Sequence, residues 1–226
     1  MTSHGSRFEI DRPVRRLTAE ITPLVVAAFV LACFSGQDSK RDAAGHPRGV
    51  ERPKRSAAQE QCATAPTPIT GQGIGPVRIG ARISAIANAC ETRDTAITLG
   101  EGLAERSHAI DVGGGRVIAI STGTADTSVA RIILRDSVFR TAKGIRVGST
   151  IAALRSAHGT LCAAVGEGNV VVFAPDIPGV SFETSVSPGE LRGGAAAVER
   201  DGSVIPDAAT IGTIWITGVP ANCLKR

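Results

Sequence analysis

Two segments of this chain resemble each other, and this repeat limits the folds that are possible. GPVRIGARISAIANAC (Gly75–Cys90) aligns with KGIRVGSTIAALRSAH (Lys143–His158). The offset is about 68 residues, and self-similarity at a fixed spacing is the sequence signature of a duplicated structural unit. Gly80 matches Gly148, and the apolar residues that follow these two glycines also match. The repeat therefore predicts two structural units of the same architecture.

Each copy predicts a short strand, a glycine turn and a short helix. In the second copy, Ile151, Leu154 and Ala157 recur at helical spacing with polar residues between them. Ser149 or Thr150 offers a side-chain oxygen that caps the start of this helix. The second copy therefore predicts an amphipathic helix that begins directly after the glycine turn.

The glycines of the repeat also suggest a phosphate-binding loop, but the pattern does not match one. A Walker loop needs a lysine directly after its second glycine, and no lysine follows Gly148. In the first copy, Ala81 and Arg82 replace the Ser149-Thr150 pair. A structural turn tolerates that change, whereas a phosphate site does not, so the repeat is predicted to be structural.

The segments after each helix predict antiparallel strands. Apolar and polar residues alternate along them, and Gly113–Gly115 predicts a hairpin turn. The fold class is therefore α+β, with two tandem units, residues 62–140 and 141–226, each a short helix packed on an antiparallel β-meander. The predicted strands are 107–112, 116–121 and 129–135 in the first unit and 161–165, 169–174, 180–184 and 210–217 in the second.

The first 61 residues predict an exported, anchored chain. Basic residues precede the apolar run ITPLVVAAFVLAC (residues 21–33), which is shorter than the roughly 20 residues that a membrane span needs. Val30–Cys33 resembles the lipobox of bacterial lipoprotein signals, which implies that residues 1–33 are a signal peptide and that Cys33 is acylated. An ordinary cleaved signal or a short anchor is the alternative. Residues 34–61 are rich in Gly, Pro, Ser and charges, which predicts a disordered polar tether.

The cysteines predict disulfides. Cys62, Cys90, Cys162 and Cys223 follow Cys33, and an even number of cysteines in an exported chain favours disulfide bonds. Three pairings are possible. Pairs Cys62–Cys90 and Cys162–Cys223 are favoured because each stays inside one unit.

The helix starts of the repeat resemble a known family. GIRVGSTIAALRSAHG (Gly144–Gly159) is similar to the helix start of the BamE/SmpA-OmlA lipoproteins and of the β-lactamase inhibitory proteins, which carry two tandem copies of the unit. Thr150 matches the capping threonine of that family, whereas Ser149 and Arg82 depart from its Met and Thr. The resemblance implies a helix followed by an antiparallel meander, with partners bound on the exposed face of the sheet. This face is expected to include Trp215 and the strands near Val117 and Val171.

Composition and motifs favour binding over catalysis. Residues 62–226 hold 15 Lys/Arg and 14 Asp/Glu, so this part is almost neutral, which argues against nucleic-acid binding. His108 and His158 have no neighbours at metal-ligand spacing, which predicts no metal site and no cofactor. No nucleophile motif is present. Loop carboxylates are the remaining candidates for hydrolase chemistry: Asp126, Asp136, Asp176 and Asp207.

The main functional prediction is a non-catalytic, lipid-anchored protein of the bacterial cell envelope that binds an envelope protein. Trp215 is the candidate partner-binding residue, because it alternates with Ile214 and Ile216 and so faces away from them. A half-buried position between sheet and helix is the alternative for Trp215. Two other functions stay open: an inhibitor of a secreted or envelope hydrolase, which the lack of tyrosine disfavours, and a hydrolase.

Overall fold

Helices and strands occupy most of the residues whose structure is described. The computed structural model describes residues 56–64, 68–98, 102, 104–122, 127–200 and 202–219. The predicted signal peptide, Cys33, Asp126, Cys223 and most of the predicted tether lie outside this part. The described helices are α1 (Ala57–Thr64), α2 (Ile83–Ala89), α3 (Ile151–His158) and α4 (Gly194–Arg200), with two 3-10 turns at Pro188–Glu190 and Gly202–Val204.

Twelve described strands form three sheets. The eight strands of the large sheet are β4 (Thr92–Thr98), β5 (Ala104–Val112), β6 (Gly115–Thr122), β7 (Ser128–Leu134), β9 (Cys162–Gly166), β10 (Asn169–Phe173), β11 (Val180–Thr184) and β12 (Ile211–Ile216). The short strands are β1 (Pro68–Ile69), β2 (Gly73–Ile74), β3 (Val77–Arg78) and β8 (Arg140–Thr141). The short strands pair as β1 with β8 and β2 with β3.

The large sheet is antiparallel throughout, with the strand order β4-β5-β6-β7-β12-β11-β10-β9. Helix α2 precedes the strands β4 to β7, and α3 precedes the strands β9 to β12. The strands β7 and β12 pair in the middle of the sheet. This combination of helices with a large antiparallel sheet confirms the predicted α+β class.

The turns before α2 and α3 make the same backbone hydrogen bonds. Gly80 N donates to Val129 O at 2.8 Å, and Gly148 N donates to Ile211 O at 2.8 Å. The φ angles of Gly80 and Gly148 are 80° and 87°, in the left-handed region that favours glycine. Each helix start is thereby fixed to the first residues of the last strand in its own meander.

The core lies between the large sheet and the helices. Each of the four described helices contributes buried side chains to it: Cys62, Ile86, Ile151, Leu154 and Val198. The sheet contributes every second residue of its strands, such as Ile110, Val117, Leu134, Ile214 and Phe182. The sheet face that carries these residues is called the helix face here, and the opposite face is called the outer face.

Two elements differ from the sequence-based predictions. Helix α1 begins at Ala57, so the predicted tether boundary at residue 61 is too late: the Ala- and Gln-rich end of that segment is helical, and its Cys62 is buried. Strand β4 was not predicted, because five of its seven residues, Arg93 to Ala96 and Thr98, are exposed and its apolar residues are few. Because neither face of β4 is buried, its sequence lacks the alternation of apolar and polar residues by which a strand is recognised.

One predicted disulfide is confirmed. Cys62 and Cys90 are bonded, with 5.4 Å between their Cα atoms, and they join α1 to the end of α2. Cys162 is also disulfide-bonded, and its pairing with Cys223 stays a prediction. Within the described ranges, none of the helices has the length and apolar character that crossing a membrane requires.

Candidate functional site

The outer face carries a row of side chains that crosses all eight strands. Its centre is Trp215 on β12, which pairs with Ile133 on one side and Ser181 on the other. Directly paired residues of antiparallel strands lie on the same face of a sheet. The complete row, from β4 to β9, is Arg93, Ala109, Ile118, Ile133, Trp215, Ser181, Phe173 and Cys162. We call this set the outer row.

The outer row is apolar at its centre and only partly covered. Ile133 is fully buried, whereas its neighbours Ile118 and Trp215 are half-buried. The indole Nε1 of Trp215 donates a hydrogen bond of 2.9 Å to Glu183 Oε2. The prediction that Trp215 faces away from Ile214 is confirmed, because Ile214 is buried in the core. Trp215 is half-buried, and it is not among the residues that form or contact the core between the sheet and the described helices.

Charged side chains border this apolar centre at both ends of the strands. Arg131 Nη2 donates to both carboxylate oxygens of Glu105, at 2.7 and 2.6 Å. This pair joins β7 to β5 and so passes across β6, where Ile120 stands opposite Arg131 and is 2% exposed. Toward the other end of these strands, the Asp111 carboxylate lies 3.4 Å from both Arg93 Nη2 and Arg116 Nε.

A cleft adjoins the charged group formed by Asp111, Arg93 and Arg116. Its volume is about 650 Å³, and it opens beside the Gly113–Gly115 turn. Ile118 of the outer row reaches this cleft, and the guanidinium-bearing residues Arg116 and Arg135 also line it. The remaining lining residues are Ala63, Asp111, Val112, Gly114, Gly115 and Asp136. The cleft provides a mixed apolar and cationic recess next to the apolar centre of the outer face.

A chain of hydrogen bonds crosses three neighbouring strands on the helix face. His108 Nδ1 lies 2.9 Å from Asp94 Oδ1, and His108 Nε2 lies 3.1 Å from Ser121 Oγ. The histidine side chain is 6% exposed and the aspartate side chain is 91% exposed. Sequence analysis did not find this group, because its members are far apart along the chain and come together only through the pairing of β4, β5 and β6.

A second histidine ends helix α3. His158 Nδ1 lies 2.7 Å from Asp176 Oδ1, and Lys143 Nζ lies 2.6 Å from Asp176 Oδ2. Lys143 Nζ also donates to Ala157 O at 2.8 Å. The hydrogen bond from Lys143 lowers the pKa of Asp176, and His158 lowers it further against the opposing effect of burial. This group fastens the helix end to the loop between β10 and β11.

The other predicted candidates are spread over the fold. Asp136, Asp176 and Asp207 lie in loops as predicted, and they bond to different partners: Arg116 N, Lys143 and Arg155. They do not form a shared carboxylate site. Among the described His, Cys, Asp and Glu residues, no group of three or more is arranged to hold a metal ion.

Two residues mark the strands that were expected to carry the binding face. Val171 is half-buried and lies on the outer face, in line with that expectation. Val117 is fully buried on the helix face, so Ile118, its neighbour in β6, is the residue of this strand that reaches the outer row. Alternation of the pleat explains the difference, because adjacent residues of a strand point to opposite faces.

Comparisons with known proteins find similarity at the level of solved structures. No protein-family model matches the chain, and a comparison with curated proteins also finds no match. Among solved structures, the chain is similar to the crystal structure of the uncharacterized protein YfeY from Escherichia coli. The two share 22% sequence identity at a TM-score of 0.46, over 67% of this chain and 99% of that chain. These comparisons assign no activity or ligand to the residues described above.

Proposed function

We propose that this chain is an exported, lipid-anchored protein of the bacterial cell envelope that binds another protein through the outer face of its sheet. The observation that carries this proposal is the outer row, in which Trp215, Ile118 and Phe173 are all half-buried rather than buried. The buried side chains of the four helices belong to the core on the other face. A partly covered apolar row on a sheet is a surface on which a protein partner gains free energy by excluding water.

The composition of the outer face resembles that of protein interfaces. Such interfaces have an apolar centre with aromatic side chains, a charged border, and more arginine than the rest of the surface. Here Trp215 and Ile118 form the centre, while Arg93, Arg116 and Arg131 stand in the border. The cleft beside Ile118 offers room for a side chain of the partner. Trp215 is the expected hot spot, because large aromatic residues at the centre of an interface contribute most of its binding energy.

Export to an oxidising compartment is part of the proposal. The Cys62–Cys90 disulfide supports it, because such bonds form and persist mainly outside the cytoplasm. The apolar leader that ends in Val30–Cys33 supports a lipid anchor. Intact mass spectrometry of the mature protein is expected to show an acylated N-terminal Cys33, and a mature chain that retains Phe29 to Ala32 contradicts the anchor.

We also propose that residues 62–140 and 141–226 are two copies of one unit. Each copy has a glycine turn with positive φ, a short helix and a four-stranded meander. The hydrogen bonds of Gly80 and Gly148 to the last strand of each meander are alike. In this arrangement the two copies join through β7 and β12, so the outer row continues from one copy into the other.

Inhibition of a secreted or envelope hydrolase is a second candidate. The resemblance to the β-lactamase inhibitory proteins favours it, since the partner is then an enzyme that the outer face covers. Trp215 uses its indole N–H within the sheet, so it offers a partner mainly apolar surface. Loss of hydrolase activity when the purified protein is added distinguishes this candidate from binding to a non-enzymatic envelope protein.

Site-specific crosslinking tests the binding face. A photoreactive phenylalanine derivative replaces Ser181, which pairs with Trp215, and in a matched variant it replaces Ala152, which is exposed on α3. A crosslinked protein is expected at position 181 and not at position 152. The product is expected to decrease about 10-fold or more when Trp215→Ala is added. Equal products at both positions, or lipid alone at position 181, contradict the proposal.

A further inference from the structure

The helix face carries the hydrogen-bonded chain of polar side chains described above, which the proposed binding function does not use. Asp94, His108 and Ser121 come from three adjacent strands, β4, β5 and β6. Asp94 and His108 are paired directly across β4 and β5. Ser121 follows an irregularity in the pairing of β6 with β7 and stands within hydrogen-bond distance of the imidazole. The result is a continuous carboxylate–imidazole–hydroxyl chain with separations of 2.9 and 3.1 Å.

The chemistry of the three groups determines the direction of both hydrogen bonds. The carboxylate of Asp94 accepts hydrogen bonds only, so the proton of this hydrogen bond is on His108 Nδ1, and Nδ1–H donates the hydrogen bond to Asp94. In a neutral imidazole the other nitrogen, Nε2, is then an acceptor. Ser121 Oγ is therefore the donor of the second hydrogen bond, and its proton already points at the base that can remove it.

We propose that Ser121 is a nucleophilic serine that accepts an acyl group from an ester. His108 is the general base, and Asp94 is the positioning residue that selects the tautomer of His108. Serine nucleophiles are recognised by this geometry and these roles, and not by their order in the sequence. Ser121 is half-buried rather than buried, so its hydroxyl is close enough to solvent to meet an ester group at the surface.

The reaction balances without a metal or a redox partner. Ser121 Oγ attacks the carbonyl carbon of the ester while its proton moves to His108 Nε2. The carbon–oxygen bond to the alcohol breaks, and the alcohol leaves with that proton. Water then attacks the acyl-serine, His108 takes a proton from the water and returns it to Ser121, and a carboxylic acid is released.

Labelling by a fluorophosphonate probe tests the proposal without knowledge of the substrate. The full mature chain is incubated with the probe, and the modified residue is located by peptide mass spectrometry. Ser121 is expected to be labelled. Ser128 on β7 is the matched control, since it is also half-buried but none of its described hydrogen bonds joins it to a histidine. Labelling is expected to disappear in Ser121→Ala and to persist in Ser128→Ala.

The roles of the other two residues require separate variants. His108→Gln is expected to slow labelling about 100-fold, the typical effect of losing a general base. Because His108 is buried, this variant is informative only if its melting temperature is kept, and Asp94→Asn provides the second test. Asp94 is 91% exposed, so its replacement is expected to leave the fold intact. Asp94→Asn is expected to slow labelling at least about 10-fold, and Asp94→Glu, which keeps a carboxylate, is expected to retain more of the rate.

Three results overturn the proposal: no label at Ser121, a labelling rate that Asp94→Asn leaves unchanged, or equal labelling of Ser121 and Ser128. Each of them shows that the three side chains are a structural hydrogen-bond chain. Ser121 lies on the face opposite Trp215, so its variants are expected to leave crosslinking at position 181 unchanged. Failure of one proposal is thereby distinguishable from failure of the other.

Discussion

The matching helices α2 and α3 end in different ways. Cys90 and His158 occupy equivalent positions in the sequence repeat. Cys90 is bonded to Cys62, so a covalent bond joins the end of α2 to α1. His158 bonds to Asp176, which Lys143 also contacts, so ionic hydrogen bonds join the end of α3 to the loop after β10.

The difference shows that the same backbone arrangement can be stabilised at the end of its helix either by a disulfide or by ionic hydrogen bonds. A disulfide acts mainly on the unfolded chain, whose freedom it limits, and it does not respond to pH. The ionic group acts in the folded state and depends on protonation. The starts of the two helices differ as well: Thr150 Oγ1 accepts a hydrogen bond from Ala153 N, whereas the side chain of Arg82 makes no such cap bond.

Replacing Cys62 and Cys90 by alanine is expected to have the largest effect on stability. The bond closes a loop with a sequence separation of 28 residues, and its loss is expected to lower the free energy of unfolding by about 3 kcal/mol. Chemical unfolding of the double variant measures this loss. Substitution is preferable to reduction, because Cys162 is also disulfide-bonded. An unchanged unfolding midpoint contradicts the expected contribution of the Cys62–Cys90 disulfide to the free energy of unfolding.

Sequence alone predicted the elements that have one buried face. Strand β11 was predicted as residues 180–184 and is found as Val180–Thr184, because Phe182 and its neighbours alternate between core and outer face. The 3-10 turn Pro188–Glu190 directly follows Ser187, and Ser187 and Glu190 have the sequence spacing of a capping box. Helix α4 was not predicted, because Gly194–Arg200 is short and begins directly after Gly193, and consecutive glycines disfavour a helix.

The candidate sites were harder to predict, because they depend on which strands are neighbours. Trp215 could be assigned to a face from alternation alone, and this prediction is confirmed. The hydrogen bond between Trp215 and Glu183 could not be predicted from the sequence, since it requires the pairing of β11 with β12. The contact of His108 with Asp94 depends on β4, a strand that has no apolar alternation.

Gly148→Val and Gly80→Val test the features that the two copies share. Both glycines have positive φ, and no atom lies within 4 Å of the position that a Cβ would occupy. The loss therefore comes from backbone strain alone, about 1 to 2 kcal/mol in each variant. Gly166→Val is the control, because Gly166 is equally unhindered but is absent from the glycines with positive φ. Melting curves that show a loss at only one of the two turns contradict their equivalence.

Asp176→Asn tests the fastening that only the second helix has, and its effect is expected to be the smallest. The hydrogen bond from Lys143, with a further contribution from His158, holds the pKa of Asp176 below its usual range. A lowered folded-state pKa contributes stability above the unfolded value, and this contribution is lost as the pH falls through the folded value, below about 4. Because Asp176 is exposed, the loss at pH 7 is expected to be below about 1 kcal/mol.

Urea unfolding at pH 7 and at pH 3 is expected to show the wild-type and Asp176→Asn proteins converging in acid. The Cys62→Ala/Cys90→Ala variant is expected to keep its full deficit at both pH values. A difference for Asp176→Asn that persists unchanged at pH 3 shows that the amide substitution acts through packing and not through charge.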